Sequence, residues 1–348
     1  MNENNDAVWV SLIVVCYNDG RWLRRCLESF RTQTVFSHLE VILVDNASTD
    51  GTDKLAQELI SGWTNARFIA SGGNLGFGGG SNVGARAARG KYLMLLNSDI
   101  WMEPDCIERL YESAEREGAA GAGALILNYE DDTVQTKGGR GFDLFGSIVA
   151  VRAGAEPNPL FCVGVFFFVR RDAFLKAGML DERLFMYGEE LDLSWRIWLS
   201  GGKLIPVMAA RIHHRGEAGV NPAGGTQLVE NRTSLQKRYF ANRNALLVIA
   251  KNAQHLLLLL LLPCALLILA EAAVMLVMTR SWSALRKCYV PVVVDCWRLR
   301  KHVFEQRRKL RTLRRRGDFW LLRFLRFGFG RWHELEKVFQ RGFPKVSQ

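Results

Sequence analysis

Residues 10–18 read VSLIVVCYN, a β-branched run that stops at a tyrosine and an asparagine. It lacks the alternation that would let one side meet water, so it predicts a strand in a sheet covered on both faces. Three further runs repeat the pattern: LEVILV from Leu39, ARFIA from Ala66 and KYLMLL from Lys91. Between them lie helical spacings, first Leu23, Cys26, Leu27 and Phe30, then Leu55, Leu59 and Ile60. Strands alternating with helices require right-handed crossovers and a parallel sheet, whose ligands gather at the carboxyl ends of the strands. Those ends are polar here: Tyr17-Asn18-Asp19, Asp45-Asn46 and Asn97-Ser98-Asp99. The predicted fold class is α/β, mostly parallel, with flanking helices.

The chain has 348 residues, 49% of them hydrophobic, enough for a large core. Its net charge of +11 is uneven: residues 280–348 carry 19 Lys and Arg against 5 Asp and Glu, and everything before them is slightly acidic. Seven scattered cysteines with no CxxC spacing read as free thiols in a reducing compartment. The polar start MNENNDAVWV does not read as a secretory signal, which places the N-terminal part in the cytosol.

Three motifs suit chemistry. Asp99 closes a strand two residues after Asn97, where oxygen ligands could meet a hard cation such as Mg²⁺ or Mn²⁺. The stretch Asn74-Leu75-Gly76-Phe77-Gly78-Gly79-Gly80-Ser81-Asn82 reads as a glycine-rich loop whose amides could approach a diphosphate. It is not a dinucleotide fingerprint, which belongs in the first strand-helix turn, and no GxxxxGK[ST] occurs, which argues against a P-loop nucleotidase. The third motif, LFMYGEELDLSWR at 184–196, crowds Glu189, Glu190 and Asp192 together, with Arg196 as the one obvious local partner. Like charges about 5 Å apart repel by roughly 3 kcal/mol at an effective dielectric of ~20. A solvated helix face would screen that cost, whereas a buried carboxylate cluster would turn it into a raised pKa fit for a general base.

VSLIVVCYN, LEVILVDNASTDGT, NLGFGGGSNVG, YLMLLNSD and MYGEELDLSWR, in this order over Val10 to Gly216, resemble the inverting family 2 glycosyltransferases, in particular the bacterial rhamnosyltransferase-like branch. The resemblance implies a GT-A fold, with 1–128 as the nucleotide-sugar-binding half and 129–250 as the acceptor-binding, catalytic half. It implies that Tyr17 stacks near the nucleobase, that Asp45 hydrogen-bonds it, and that Asn74, Gly76, Asn82, Asn97 and Ser98 line the donor. Asp99 would bind Mg²⁺ or Mn²⁺, with His213 as second ligand and His214 as the neighbouring candidate. Glu190 occupies the base position, and Glu189 and Asp192 would hold its loop and tune it. Asn97 stands where the family's metal motif usually has a first aspartate, and Glu189-Glu190 where it has Glu-Asp. The implied reaction moves a sugar from a UDP- or dTDP-sugar, dTDP-rhamnose among them, to a lipid-linked or cell-surface glycan; a catalytically silent nucleotide-sugar-binding or membrane-scaffolding relative is the alternative.

Residues 251–348 form a third region, read as an apolar helix and a basic amphipathic tail associated with a membrane. Leu256 to Leu269 is unbroken apolar sequence, continuing Ala-rich to Met278 with one acid, Glu271. That is long enough to cross a bilayer. A span would carry the basic tail away from the cytosol, against the positive-inside tendency, so an in-plane helix or a re-entrant hairpin broken near Pro263 at the cytoplasmic face is expected. The tail's arginines suit an anionic membrane surface better than nucleic acid, given the apolar run beside them.

Overall fold

Strand β1 (Val10–Cys16) is buried along its whole length and pairs in parallel with β2 (Leu39–Asp45) on one side and β4 (Tyr92–Asn97) on the other. The registers Cys16↔Asp45 and Val15↔Asn97 bring three strand ends level. The computed structural model describes residues 7–163, 166–216, 232–280, 282–327, 330 and 345–347. The sheet continues outward from β2 to β3 (Ala66–Ala70). Beyond β4 it runs through β10 (Phe167–Arg170), β6 (Gly121–Asn128), β11 (Leu204–His214) and β5 (Ile100–Met102). Strand β10 is antiparallel to both neighbours and β11 is parallel to β6. Strand β7 (Val134–Thr136) pairs with β6, and β8 (Gly139–Phe142) with β9 (Ile148–Ala150) forms a separate ribbon.

One face is covered by α1 (Gly20–Arg31), α2 (Thr52–Leu59) and α4 (Cys106–Arg116), which bury Leu23, Phe30, Ile107 and Leu110 against β1, β2 and β4. The other is covered by α3 (Gly76–Ala87), α5 (Arg171–Lys176), α6 (Glu189–Leu199) and the C-terminal helices.

The glycine-rich stretch differs from its expected form: it is helix α3, not a loop. A Cβ on Gly80 would stand 2.8 Å from Val15 Cγ1, and one on Gly84 would overlap Ile13 Cγ2. Those glycines let a helix lie directly on the sheet.

The C-terminal region also differs. Helix α7 (Leu235–Asn252), the 3-10 turn Leu256–Leu260 and α8 (Leu261–Thr279) contribute Leu247, Val248, Ile249, Leu257, Cys264 and Ile268 to the same core as Trp195 and Leu199 of α6. Among the described residues, Leu310, Leu321 and Phe324, from the region expected as a tail, join this core as well. Pro263 does not break α8, because it sits in the first turn, where its missing amide hydrogen is not needed. Several tail arginines are helix caps and not free surface charge. Arg316 donates to the carbonyls of Trp198 (3.3 Å), Gly201 (3.1 Å) and Gly202 (2.7 Å) at the end of α6. Arg307 donates to Ala250, Ala253 and Gln254, and Arg314 to Asn252, at the end of α7. A cation there satisfies the last orphan carbonyls and the negative end of the helix dipole. The buried Asp318 answers them, accepting the amides of Gln254 (2.9 Å), His255 (2.8 Å) and Leu257 (2.9 Å).

Candidate active site

The level ends of β1, β2 and β4 carry the first group of side chains. Tyr17, the residue after β1, is 46% exposed. Asn18 adopts φ 54°, the left-handed region asparagine tolerates, and its Oδ1 accepts the Thr49 amide at 2.8 Å, tying the loops after β1 and β2 together. Asp45 is buried; Oδ2 accepts the Ser48 amide at 3.0 Å, and Oδ1 has no hydrogen-bond partner among the described residues. An unpaired buried acceptor costs about 1–3 kcal/mol, so Asp45 is poised for a donor from outside the protein. Asn46 beside it donates to the Gly76 carbonyl at 2.9 Å.

Asp99 is held from both sides: Gly216 N donates to Oδ2 at 3.0 Å and Arg215 N to its carbonyl at 2.9 Å. Its Oδ1 is buried without a hydrogen bond among the described residues. The Ser98 hydroxyl donates to Asp19, whose carboxyl is pushed up to about 6 by burial, with the charge of Asp99 adding to the shift. Asn97 is half-buried at the end of β4.

The two histidines at the end of β11 divide, since successive strand residues face opposite ways. His214 points its Nε2 at Asp99 Oδ1, 3.7 Å away, and its Nδ1 lies 2.8 Å from Gln135 Oε1. Gln135 Nε2 is committed to Asn128 Oδ1 (3.1 Å), which orients Oε1 as the acceptor of Nδ1–H and leaves the Nε2 lone pair toward Asp99. His213, expected as the second metal ligand, instead stacks on Trp101 at 3.5 Å and places Nδ1 2.9 Å from Asp132 Oδ1. Burial lowers its pKa despite Asp132 and Glu103. The register His213↔Trp101 and His214↔Ile100 with β5 makes this division.

The acidic helix α6 begins at Gly188, whose φ of 94° suits glycine, after Phe185 and Tyr187, both at φ 66°. Helix α7 holds this turn: Asn244 Nδ2 donates to the carbonyls of Leu184 (3.0 Å), Met186 (2.9 Å) and Tyr187 (2.6 Å), and Arg243 Nη2 to Arg183 and Leu184. The turn also reaches the donor side, because Phe77 N donates to the Phe185 carbonyl at 3.0 Å and a Cβ on Gly76 would overlap that oxygen.

The three acids answer their crowding differently. Asp192, expected to act beside the base, is fully buried and saturated: Arg196 Nε (2.9 Å) and Nη2 (2.6 Å), Lys251 Nζ (2.7 Å) and Asn252 Nδ2 (2.9 Å) converge on it. It is a structural anchor. Glu189 is buried with Oε1 unpartnered among the described residues, and burial, then the Glu190 charge, pushes its carboxyl well up. Glu190 is half-buried and raised by burial, which leaves it the accessible carboxylate of the three.

Asn82, expected at the donor, is buried and spent on the chain: Nδ2 donates to the Leu180 carbonyl at 2.9 Å and Oδ1 accepts the Leu180 amide at 3.1 Å. Asn74 Oδ1 accepts the Gly76 amide at 3.0 Å, closing the turn into α3. Sequence reasoning missed Asp19, Gln135, Lys251, Arg243 and Asn244. Only Asp19 carried a signal, its place at a strand end.

The family model "Glycosyl transferase family 2" matches residues 11–178. The N-acetylglucosaminyl-diphospho-decaprenol L-rhamnosyltransferase of Mycobacterium tuberculosis is 30% identical over 244 residues, covering 61% of this chain and 78% of that protein. The putative glycosyltransferase EpsH of Bacillus subtilis is 35% identical over 130 residues, 36% of each chain, so the match spans about a third of that relative. A crystal structure of GalNAc-T7 with UDP, GalNAc and Mn²⁺ shares the fold, with a TM-score of 0.52 and 20% identity over 59% of this chain and 43% of that one. The chain belongs to glycosyl transferase family 2 and is a glycosyltransferase of the GT-A fold.

Proposed function

We propose that the chain transfers a sugar, with inversion, from a UDP- or dTDP-sugar, dTDP-rhamnose among the donors, to a hydroxyl of a lipid-linked or cell-surface glycan at the cytoplasmic face of the membrane. The observation that carries the reading is the pair of buried, unpartnered carboxylate oxygens, Asp45 Oδ1 and Asp99 Oδ1, at the ends of the two strands that flank β1. Asp45 would accept an N–H of the base, with Tyr17 beside the ring. The rhamnosyltransferase relative, whose name gives a decaprenol-linked substrate, supports the acceptor class.

A divalent cation fits the residues present. Asp99 Oδ1 and His214 Nε2 are an oxygen and a nitrogen donor turned toward one point, and Gln135 orients the histidine. No three His, Cys, Asp or Glu side chains among the described residues form a ready cage. That suits Mg²⁺ or Mn²⁺, which commonly take one or two protein ligands and leave the remaining positions to substrate phosphates and water. When bound, the ion supplies charge neutralisation on the departing diphosphate.

Glu190 accepts the proton of the acceptor hydroxyl as that oxygen bonds to the anomeric carbon. The bond from that carbon to the diphosphate oxygen breaks on the opposite face, and the electron pair leaves with the nucleoside diphosphate. Raised by burial, Glu190 is a stronger base than a surface carboxylate.

The test is a panel of UDP- and dTDP-sugars incubated with full-length protein, with and without Mg²⁺ or Mn²⁺, scored for nucleoside diphosphate release. Turnover of one donor that stops with chelator supports the reading. Saturable donor binding with no turnover, with any acceptor or with water, would establish the silent relative.

A further inference from the structure

Helix α8 is apolar on both sides, and only one side is used. Leu257, Leu260, Cys264, Ile268, Ala272 and Met275 of the α8 segment face the core, while Leu259, Leu262, Leu266, Leu269, Val274 and Val277 face outward. Leu262 is 68% exposed and Val277 75%. At ~1.5 Å per residue this outer stripe is about 27 Å long. The helices Val290–Arg298 and Arg300–Leu313 carry a second exposed apolar row, Val290, Val293, Trp297 and Phe304, at helical spacing. Trp282, in the connection, is exposed too. Isolated outward leucines need no explanation, but a row of them along the whole 259–277 segment marks a surface made to be covered.

We propose that this stripe lies in the plane of a leaflet containing anionic lipid, with α8 parallel to the surface and not across it. The proposal deepens the membrane reading above, on which it rests, by naming the surface and its pose. Charge identifies the occupant: Arg280, Arg286, Lys301 and Arg308 are exposed along the same helices. Trp282 and Trp297 are amphipathic rings of the kind that settle at headgroup level. A polar protein partner would not match the leucines, and an apolar one would not match the basic rim.

The pose follows from what α8 leans on. Its one acid, Glu271, accepts from Asn242 Nδ2 at 3.1 Å and lies 3.8 Å from Arg238 Nη1, both on α7. A crossing α8 would drag α7, with Arg238, Asn242 and Arg243, into hydrocarbon that cannot solvate them, or would abandon the core face. Lying flat keeps both sides satisfied.

The experiment is cosedimentation of full-length protein with vesicles of phosphatidylglycerol and phosphatidylethanolamine, or of phosphatidylcholine alone. Leu262→Ser, Leu266→Ser and Val293→Ser combined should weaken partitioning by about 100-fold or more on both, because every site is exposed and each buries roughly a methyl-rich side chain in lipid. Arg280→Gln with Arg286→Gln should cost several-fold on phosphatidylglycerol vesicles and nothing on phosphatidylcholine. Concentrated salt should copy the second effect only. Melting temperature and donor turnover without vesicles should match the parent in both variants. If the triple variant loses its fold, tryptophan quenching of the parent protein by shallow and deep brominated lipids decides: shallow quenching supports the proposal, and mid-bilayer quenching with resistance to alkaline extraction shows a span and overturns it. A triple variant that sediments like the parent overturns it as well. So does a parent dimer that ignores vesicles and that the variant dissociates, since the stripe's occupant would then be a second copy. Normal vesicle binding without turnover of any nucleotide sugar would defeat the proposed function while leaving this surface in place.

Discussion

Lys251→Met removes the cation at the centre of the buried network behind the acidic helix. Lys251 Nζ lies 2.6 Å from Asp181 Oδ2 and 2.7 Å from Asp192 Oδ1, and the three side chains are 3%, 8% and 0% exposed. After the change Asp192 keeps Arg196 and Asn252, and Asp181 keeps His302 at 3.0 Å, so two buried carboxylates share too little positive charge. Removing one partner of a buried pair costs about 3–5 kcal/mol, a factor of roughly 10²–10³ or more in the folding equilibrium. The pH dependence fixes the cause. Burial alone would raise both carboxyls, but Lys251 with His302 holds Asp181, and Arg196 with Lys251 holds Asp192, below the usual range. A depressed carboxyl pKa stabilises the fold above the unfolded value near 3.9, and that contribution is lost as pH falls toward the folded pKa. The gap between parent and variant should therefore be full near neutral pH and narrow below about pH 4, where Asp181 in the variant takes up a proton. Urea unfolding in mild detergent at both pH values measures it. A gap under about 1 kcal/mol at neutral pH, or one unchanged in acid, would refute the reasoning, because either result means the network is solvated.

Asp99→Asn should abolish metal-dependent turnover with the melting temperature unchanged, and His214→Ala should weaken metal dependence far more than His213→Ala; metal titrations that rank the histidines the other way would return the ligand to His213. Glu190→Gln should lower kcat about 10²-fold or more with donor binding intact, and should remove an acid limb lying above the ordinary carboxylate range. Glu189→Gln should be milder, and reversed effects would move the base to Glu189. Gly76→Ala meets both a φ of 70° and the Phe185 carbonyl, so a loss of more than about 2 kcal/mol is expected by chemical denaturation, and a neutral result would show that the 184–188 turn yields.

The parallel half of the fold was legible because β1, β2 and β4 are apolar on both faces and end in polar residues. The glycines of α3 misled because close packing and phosphate cradling use the same residue type, and only the distance from Gly80 to Val15 separates them. The places of Asp99 just past a strand end and of Glu190 in the first turn of a helix were legible through their motifs. The choice between His213 and His214 was not, since strand alternation says that one turns inward without saying which. The pairing of β5 with β11 decides which one faces Asp99. Lys251 was out of reach for another reason: it lies 59 residues after Asp192 in an unremarkable amphipathic segment, and only the packing of α7 on α6 joins them.

The cap on α6 has a temporal meaning. Arg316 and the Trp198 carbonyl it binds are 118 residues apart, so the helix that begins with Glu189 and Glu190 leaves the ribosome long before the guanidinium that closes its far end. Everything translated in between includes α8 and its outward leucines. The acidic helix is thus capped only after the outward leucines have been synthesised, and a nascent chain stalled before Arg316 would hold α6 with its last carbonyls unanswered by that guanidinium.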